Sequence, residues 1–438
     1  MKKYIVNIIL FLCDSFVLLA IYYAVRLFRQ VVMIHNMPSL LLSRQEDFLF
    51  VYVLIGLILV YEKVYKYRFD FWEETKLVLK ALILSFVIVL AFLMLNKINT
   101  EYSRSFIVMY FVALMIFLPI CKRFIKKFLF SFAYFKRRVK IIGNKEQKEV
   151  IKKEFKENWY LGLQCVESNH EAIFIATKGI PLETLNGYLN QYMKETQDLY
   201  LLPYISKVNF SEANMMEYFN IRTSVIHIEN ELLKLRNIFI KALFEKSVTL
   251  LILPLVALLH IVIVLVIKLD SKGAIFFRQE RLGKDNKPFV CYKYRTMYEN
   301  SENLLKLYLE NHPEEIKHYQ KYHKYKNDPR ITKIGHFLRK TSLDELAQII
   351  NVLQGNMSII GPRPYMLNEI TKFADVSHTI LSVKPGITGL WQVSGRNNLT
   401  FENRKELDIW YIQNWSLWMD LIILFKTIKV VLTRQGAQ

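Results

Sequence analysis

Two adjacent acidic residues, Asp344 and Glu345, are of the types that bind metal ions, transfer protons or act as nucleophiles. They stand in the run R-K-T-S-L-D-E-L-A-Q-I-I-N-V-L-Q-G, Arg339–Gly355, where apolar residues recur at helical spacing. Thr341 or Ser342 is a natural N-cap, which places the pair in the first turn, where the helix dipole and free N–H groups favour carboxylate or phosphate. Ser342 and Glu345 also have the spacing of a capping box, so a purely structural role stays open.

Basic residues on turns rich in glycine and proline surround this pair in the sequence. Arg363 is held between two prolines in M-S-I-I-G-P-R-P, Met357–Pro364, and a guanidinium fixed in this way suits bidentate binding of phosphate. Other basic residues of this part are Arg278, Arg281, Lys293, Arg295, Arg330, Arg339 and Arg396, the last at the end of the glycine-rich turn Pro385–Arg396. Mg²⁺ takes one or two carboxylates together with substrate oxygens, so the acidic pair is also a candidate magnesium site. Any one arginine alone is more simply a surface charge, but together they predict an enzyme that acts on phosphorylated substrates.

The composition also predicts that the protein associates with a membrane. The chain of 438 residues is 53% hydrophobic and has a formal net charge of +20, which favours either nucleic acid or an anionic membrane surface as a partner. Asp14, in the first apolar stretch, is either a functional residue or a partner in helix packing. Four apolar stretches are candidate membrane spans: Tyr4–Phe28, Asp47–Tyr61, Leu77–Leu95 and Phe106–Cys121.

A fifth apolar stretch, Val248–Ile267, is interrupted by Pro254, and a proline inside a helix predicts a kink. Basic residues flank the stretch on both sides, so the positive-inside rule places both of its ends in the cytoplasm. The same rule places the residues before the first span and those after the fourth span in the cytoplasm. The stretch is therefore predicted to enter the membrane, turn near Pro254 and leave on the same face. The alternative is an ordinary fifth span, which would place the last third of the chain outside the cell.

Residues 139–227 have the alternating pattern of a small α/β domain with a parallel sheet. A dinucleotide site would need G-x-G-x-x-G after the first strand, and only the first glycine is present, so close approach to a pyrophosphate is not expected. The elements predicted in this part are a strand at Val139–Gly143, a polar helix at Glu146–Asn158, and strands at Ala172–Ala176 and Leu199–Leu202.

The stretch Arg236–Leu432 resembles the bacterial sugar transferases, which are monotopic polyprenyl-phosphate phosphoglycosyltransferases. The matching runs are F-F-R-Q-E-R-L-G (Phe276–Gly283), Y-K-Y-R-T-M (Tyr292–Met297), N-D-P-R-I-T-K-I-G-H-F-L-R-K-T-S-L-D-E-L (Asn327–Leu346), G-N-M-S-I-I-G-P-R-P (Gly355–Pro364) and K-P-G-I-T-G-L-W-Q-V-S-G-R (Lys384–Arg396). The whole chain is similar to the large, multi-span subgroup that includes the undecaprenyl-phosphate galactose phosphotransferases. This resemblance implies a membrane protein with an α-helical transmembrane bundle, a small Rossmann-like α/β domain, a re-entrant membrane helix and a mostly α-helical catalytic domain. The expected bounds are 1–135 for four transmembrane helices, 136–230 for the degenerate nucleotide-binding-like domain, 231–269 for the re-entrant helix and 270–438 for the catalytic domain.

The resemblance also implies a mechanism. Asp344 would attack the sugar-linked phosphorus of a UDP-sugar, expel UMP and hold the phosphosugar covalently. Undecaprenyl phosphate would then take it, giving sugar-diphospho-undecaprenol as a first membrane step of O-antigen, capsule or exopolysaccharide synthesis. Glu345 would help Asp344 to hold Mg²⁺. The basic residues expected to bind phosphates or the nucleotide are Lys293, Arg295, Arg330, Arg339, Arg363 and Arg396.

Further expectations are UDP-galactose or UDP-glucose as the donor, a bacterial inner-membrane location with the catalytic domain in the cytoplasm, a homodimer, and no nucleic-acid partner. Two positions depart from the family pattern: Leu253 stands where serine usually precedes the proline, and Glu245 stands where aspartate is usual. Two other functions remain open. One is a membrane-anchored nucleotide-sugar dehydratase or epimerase, and the other is a non-enzymatic scaffold for polysaccharide assembly.

Overall fold

The computed structural model describes residues 2–33, 48–95, 104–196, 198–203, 214–218, 223–227, 231–299, 301–312, 315–316, 325, 328–395 and 399–433. The chain divides into two compact units, Met1–Ile205 and Ser206–Gln438. Helices dominate both units, and the first unit also contains a small parallel sheet.

The first unit begins with a bundle of apolar helices: α1 Lys2–Met33, α2 Leu49–Tyr61, α3 Phe71–Leu95 and α4 Arg104–Leu129. Helices α1, α3 and α4 are long and apolar enough to cross a membrane, and α2 is a shorter apolar helix. Aromatic rings fill the bundle core, where Tyr22 packs against Phe48, Phe106 and Tyr110 at centroid distances of 5.2, 5.4 and 6.2 Å. The helices predicted in this region are therefore confirmed.

Helix α4 continues past the predicted end at Cys121 because its basic residues find buried partners. Lys122 is ion-paired with Asp14, and Lys126 with Glu74, and each of these four side chains is at most 2% exposed. The Tyr65 hydroxyl also donates to Asp14 Oδ2 at 2.8 Å. Asp14 is thus a packing partner inside the bundle, as one of the two interpretations proposed.

The α/β part of the first unit has a four-stranded parallel sheet in the order β2-β1-β3-β4. Asn144 follows β1 and caps α5 by accepting the Gln147 backbone N–H at 2.8 Å. The predicted strands and polar helix are confirmed to within two residues, and β2 and α6 are additional. The elements are β1 Arg137–Ile142, α5 Lys145–Glu157, β2 Leu163–Cys165, β3 Ala172–Ala176, α6 Leu182–Glu195 and β4 Leu199–Leu202.

The second unit opens with an antiparallel hairpin of β5 Asn214–Tyr218 and β6 Thr223–His227, followed by one long helix, α7 Leu235–Asp270. Helix α7 is continuous through Pro254, so the proline does not divide the predicted apolar stretch into two helices. The apolar surface of α7 is largely exposed, and the helix is long and apolar enough to cross a membrane.

Both ends of α7 are attached to the rest of the second unit. Near its start, Lys241 Nζ lies 2.7 Å from Asp420 Oδ2 and 2.9 Å from Glu245 Oε1, and it donates to the Ile360 carbonyl at 3.0 Å. Glu245, the longer replacement for the usual aspartate, therefore still reaches a cation. Near the end of α7, Ile267 is buried in an apolar cluster with neighbouring strands and helices.

The remainder of the second unit carries the candidate site. It contains a hairpin of β7 Phe276–Leu282 and β8 Pro288–Tyr294, α8 Ser301–Asn311, α9 Lys333–Thr341, a 3₁₀ helix Leu343–Gln348 and α10 Ile349–Leu353. These are followed by β9 Ser358–Ile360, a 3₁₀ helix Leu367–Val376, α11 Ser377–Ile380, β10 Gly386–Thr388, α12 Leu390–Ser394, α13 Phe401–Gln413 and α14 Leu417–Thr433.

Candidate active site

A cleft of about 710 Å³ lies along the β7–β8 hairpin. Cys291 and Lys293 line it, because side chains two residues apart on a strand share one face, and Arg295, the first residue after β8, continues this row. The facing strand contributes Gln279, which is paired with Cys291 in the antiparallel register. The predicted site residues that the cleft brings together are Lys293, Arg295, Arg339, Asp344, Glu345 and Arg363.

The acidic pair is presented by a sharp turn between two helical segments. Helix α9 ends at Thr341, and Ser342 has the left-handed conformation, with φ 57°. The Ser342 side chain makes no cap hydrogen bond to the following 3₁₀ helix, so the capping-box interpretation is wrong. The Glu345 carboxylate instead accepts a hydrogen bond from Lys293 Nζ at 2.6 Å. The turn therefore directs both carboxylates to the cleft.

Asp344 combines partial burial with incomplete neutralisation. Burial, together with the adjacent Glu345 carboxylate, raises the pKa of Asp344 to about 6, although Lys293 and Arg339 act in the opposite direction. Among the described residues, no side chain donates a hydrogen bond to the Asp344 carboxylate. At neutral pH this carboxylate is ionised and lies near cations, and its hydrogen bond comes from the backbone and not from a described side chain, which leaves it available as a nucleophile.

The two cations beside the pair are themselves held in place. Burial lowers the pKa of Lys293, but the Glu345 and Asp344 carboxylates outweigh this effect and raise the pKa above its usual value, so Lys293 is charged. Arg339 lies on α9, and its Nε donates to Thr296 Oγ1 at 2.9 Å. The site therefore keeps fixed positive charge next to its negative charge, as binding of a phosphate ester requires.

The loop that carries Arg363 is locked by close backbone contacts between glycines. Strands β9 and β10 are parallel, and the Gly361 N–H donates to the Thr388 carbonyl at 2.9 Å. A Cβ atom on Gly386 would overlap the Gly361 backbone, and one on Gly389 would overlap the Gly361 carbonyl oxygen. Only glycine fits at these positions, which explains why the loop sequences contain it.

Arg363 receives support from a buried acid. Its backbone N–H donates to Asp408 Oδ2 at 3.2 Å, and the Tyr365 hydroxyl donates to the same oxygen at 2.8 Å. Asp408 is fully buried, and this burial raises its pKa to about 7. The Arg363 guanidinium carbon lies 5.5 Å from the Trp391 ring centroid, so the backbone of this residue is held by Asp408 and its cation lies over an aromatic ring.

Two of the predicted basic residues are not part of the described cleft. Arg330 forms a bidentate pair with Asp328, at 2.8 Å from Nε to Oδ1 and 2.7 Å from Nη2 to Oδ2, and it is not among the lining residues. Arg396 lies outside the described residues. The prediction of phosphate binding by these two residues stays a prediction.

Several cleft residues were not assigned a role from the sequence. Arg281 is only 8% exposed, and its Nη1 donates to the Pro364 carbonyl at 3.2 Å. Burial and the nearby Arg363 lower the pKa of Arg281, which marks this end of the cleft as strongly positive. Arg281 belongs to the motif F-F-R-Q-E-R-L-G, so its place in that motif was an available signal. The roles of Trp391 and Asp408 depend on long-range packing, which no local pattern reveals.

The residues present are compatible with Mg²⁺. Within the part of the chain that the structure describes, no group of three or more His, Cys, Asp or Glu side chains surrounds a common point. Asp344 and Glu345 therefore offer two carboxylates at most, which is the small protein ligand set that Mg²⁺ uses when substrate phosphates complete its coordination.

Comparisons with known proteins agree with the resemblance seen in the sequence. The family model described as bacterial sugar transferase matches residues 236–434. An undecaprenyl-phosphate galactose phosphotransferase from Salmonella typhimurium is 32% identical over 414 residues, 88% of this chain and 86% of that protein. An uncharacterized sugar transferase from Haemophilus influenzae is 31% identical over 88% of both chains. A UDP-glucose:undecaprenyl-phosphate glucose-1-phosphate transferase from Klebsiella pneumoniae is 31% identical over 82% of both chains.

The chain belongs to the bacterial sugar transferase family. Within that family it is a phosphoglycosyltransferase, so the prediction of an enzyme is confirmed. Its apolar helices and its relatives also support a location in a membrane.

Proposed function

We propose that this enzyme transfers a sugar 1-phosphate from a UDP-sugar to undecaprenyl phosphate, with Asp344 as a covalent nucleophile. The observation that carries the proposal is the Asp344 carboxylate itself: it lines the cleft, lies between cations and accepts no hydrogen bond from a described side chain. The names of relatives support the two substrate classes.

In the first step, an Asp344 oxygen attacks the sugar-linked phosphorus of the UDP-sugar. A P–O bond to the carboxylate forms, and the bond from the same phosphorus to the bridging oxygen breaks. The electron pair leaves with UMP, and the sugar phosphate remains on the enzyme as an acyl phosphate.

In the second step, a phosphate oxygen of undecaprenyl phosphate attacks that phosphorus. The bond to Asp344 breaks and returns the free carboxylate, and the product is sugar-diphospho-undecaprenol. Two in-line displacements at one carboxylate give a ping-pong mechanism, so release of UMP does not need the lipid acceptor.

The surrounding residues orient the phosphates and neutralise their charge. Arg339 and Arg363 bind phosphate oxygens, and Lys293 holds Glu345 beside the nucleophile. Mg²⁺ held by Asp344 and Glu345 supplies further positive charge when it is bound. Binding of phosphate by Arg396 remains part of the proposal, and Arg330, which is paired with Asp328 outside the cleft lining, is proposed to contribute less than Arg339.

We further propose that α7 is re-entrant, with a bend within the continuous helix at Pro254. Lys241 and Ile267 both contact the same compact unit. In a straight helix they would be about 39 Å apart at about 1.5 Å per residue, more than the roughly 30 Å of a hydrocarbon core. Contacts at both ends therefore favour a helix that leaves the membrane on the side it entered, which is the cytoplasmic face of the bacterial inner membrane.

The remaining proposals concern specificity and organisation. UDP-galactose and UDP-glucose are the proposed donors, and O-antigen, capsule or exopolysaccharide is the proposed end product. Residues 136–230 are proposed to form a Rossmann-like domain without a dinucleotide site, because Asn144 follows Gly143 and caps the next helix. This domain would act as a regulatory or dimer interface, ahead of the membrane helix at 231–269 and the catalytic domain at 270–438.

The testing experiment measures UMP release by the purified enzyme in nanodiscs across a panel of UDP-sugars, with Mg²⁺ and undecaprenyl phosphate. Intact-mass analysis after incubation with the UDP-sugar alone is expected to show a phosphohexose adduct, and proteolysis should place it on the peptide that contains Asp344. Turnover without any adduct under rapid-quench conditions would overturn the covalent step. Bound nicotinamide in the purified protein would instead favour a dehydratase or epimerase.

A further inference from the structure

The cleft has two chemically different ends with the acidic pair between them. Cys291, Lys293 and Arg295 follow one another along one face of the hairpin, each about 7 Å from the next at about 3.3 Å per residue. Lys293 marks the centre, because it is hydrogen-bonded to Glu345. Cys291 lies towards one end of the cleft and Arg295 towards the other.

The end beyond Cys291 is polar and aromatic. Arg281 donates to the Gln279 side chain at 2.6 Å and to the Pro364 carbonyl at 3.2 Å. Trp391 lines the same end, with the Arg363 guanidinium stacked near its ring. Hydrogen-bonding groups, two cations and an aromatic face suit a nucleoside with its phosphates.

Arg295, at the opposite end, is a buried cation with unused donors. It is 8% exposed, and its Nη2 donates to the Ser271 carbonyl at 2.7 Å and to Ser271 Oγ at 2.9 Å. Its Nε and Nη1 are buried and, within the described part of the chain, have no hydrogen-bond partner. Leaving buried donors of a charged group unsatisfied is costly, so this arrangement favours an anionic ligand.

The surroundings of Arg295 indicate what kind of anion this is. Ser271 is the first residue after the membrane helix α7, so the guanidinium is tied to the end of that helix. The lining next to Arg295 contains the apolar rings of Phe276 and Phe277, the latter 51% exposed. It also contains the Glu299 carboxylate, which lies near Arg295 without forming an ion pair among the described residues. On α7 itself, the His260 ring nitrogen lies 2.6 Å from the Tyr294 hydroxyl, which joins the membrane helix to this end of the hairpin.

We propose that the Arg295 end of the cleft is the acceptor subsite, which binds the phosphate monoester of a prenyl lipid, while the Arg281 end holds the nucleotide of the donor. The inference rests on the proposed function and moves Arg295 from the nucleotide to the lipid. The lipid phosphate reaches Arg295 from the bilayer along α7, and its free oxygen then faces the phosphorus held on Asp344. Both substrates thus approach one carboxylate from opposite ends of a single cleft.

The test compares Arg295→Met with the matched variant Arg281→Met, since the two arginines are equally buried and both line the cleft. Steady-state assays in nanodiscs give KM for undecaprenyl phosphate and for the UDP-sugar, and single-turnover UMP release without acceptor isolates the first step. Lipid binding is measured separately, as the rise in unfolding temperature caused by undecaprenyl phosphate, with inorganic phosphate and phosphatidylglycerol as comparison ligands.

Arg295→Met is expected to raise KM for undecaprenyl phosphate by about 10-fold or more, because a charge-assisted hydrogen bond is lost, with less than about a 3-fold change in KM for the UDP-sugar. Arg281→Met is expected to show the reverse pattern. Arg295→Lys, which keeps the cation, is expected to restore most of the lipid affinity and so to separate charge from folding. Only undecaprenyl phosphate should raise the unfolding temperature of the wild-type enzyme in a way that depends on Arg295.

Each contrary result points to a different error. If Arg295→Met slows acceptor-free UMP release as much as Arg281→Met, Arg295 belongs to the donor site and the inference fails. If inorganic phosphate or phosphatidylglycerol gives the same temperature shift, the subsite does not recognise a prenyl phosphate. If the wild-type enzyme binds undecaprenyl phosphate through Arg295 but releases UMP from no UDP-sugar, the proposed function fails and the lipid subsite stands.

Discussion

The helical bundle of the first unit and the candidate active-site cleft of the second unit each place two acidic side chains beside two basic ones, but they neutralise these charges differently. In the bundle, Lys122 contacts both Asp14 and Glu74, and Lys126 contacts Glu74. None of these side chains is more than 2% exposed. The ions pair with one another and are closed to solvent, and among the described residues only Asp14 Oδ1 of this cluster lacks a hydrogen-bond partner. This is the arrangement of a structural ion-pair cluster.

In the cleft only some of the charged side chains are ion-paired, and they are partly exposed to solvent. Glu345 and Lys293 form one ion pair at 2.6 Å, with 33% and 29% of their side chains exposed. Asp344 stays without a side-chain donor among the described residues and faces the cleft. The difference teaches that burial of a charge alone does not identify a catalytic group. The feature that indicates a catalytic group is a charge that is partly desolvated, has cations nearby and still remains accessible from the cleft.

The largest effect that would test this contrast comes from Asp344→Asn. Removing the proposed covalent nucleophile is expected to lower the rate of UMP release by about 10³-fold or more and to abolish the phosphosugar adduct. The unfolding temperature should be unchanged or higher, since the change removes a like charge beside Glu345. The matched control is Asp375→Asn, an exposed acid outside the cleft, which should keep wild-type turnover.

Asp14→Asn is expected to show the opposite pattern to Asp344→Asn, with a loss of stability and no loss of turnover. Breaking a buried ion pair by removing one partner typically costs about 3–5 kcal/mol, so the variant should lose stability and expression yield while the folded fraction keeps wild-type turnover. Lys153→Met, which removes an exposed ion pair with Glu157, should cost about 1 kcal/mol or less. Both are measured by unfolding in nanodiscs. A stable Asp14→Asn enzyme with lost activity would show that the bundle cluster is functional.

A smaller effect concerns the pH profile of UMP release. In the proposed mechanism only the ionised carboxylate of Asp344 attacks the phosphorus, so the rate of UMP release should rise with pH through about 6. Glu345→Gln removes a charge that raises the Asp344 pKa, so the acid limb should move to lower pH. Lys293→Met removes a charge that lowers it, so the limb should move to higher pH. Each shift is expected to be about 0.5–1 pH unit, measured by single-turnover rates between pH 4.5 and 8. Shifts in the same direction would contradict the assignment of the limb to Asp344.

The smallest expected effect separates two arginines of the same motif. Arg339 lines the cleft, and Arg339→Gln should raise KM for the UDP-sugar by about 10-fold. Arg330 is paired with Asp328 outside the lining, so Arg330→Gln should change KM by less than about 3-fold. Equal effects of the two substitutions would extend the phosphate site to Arg330.

Much of the fold could be predicted from local patterns. The apolar helices of the first unit and the strands Ala172–Ala176 and Leu199–Leu202 follow from periodicity alone. The end of α4 could not be predicted in this way, because Lys122 and Lys126 look like solvated flanks until their partners 108 and 52 residues away are known. The β7–β8 hairpin was also missed, since F-F-R-Q-E-R-L lacks the alternation of a half-buried strand.

The acidic pair of the candidate site was predictable, but its setting was not. The residue types and spacing around Asp344 indicated phosphate chemistry, and the structure brings most of the predicted cations to one cleft. The capping-box interpretation failed because Ser342 adopts a left-handed conformation that is uncommon for residues other than glycine, and nothing in the local sequence indicates it. The unused donors of Arg295 depend on tertiary packing around Ser271.

The contacts among Gly361, Gly386 and Gly389 have a consequence for the energetics of binding. The close backbone contacts leave the Arg363 loop no alternative conformation. Because the loop is already ordered in the folded protein, its conformational entropy is lost during folding and not when substrate binds. In the proposed reaction the loop is thus preorganised for the donor phosphates, and it needs no reorganisation when charge develops on the leaving nucleotide. If any of the three glycines were replaced, the loop contacts would be disrupted, and the loop would have to be ordered each time substrate binds.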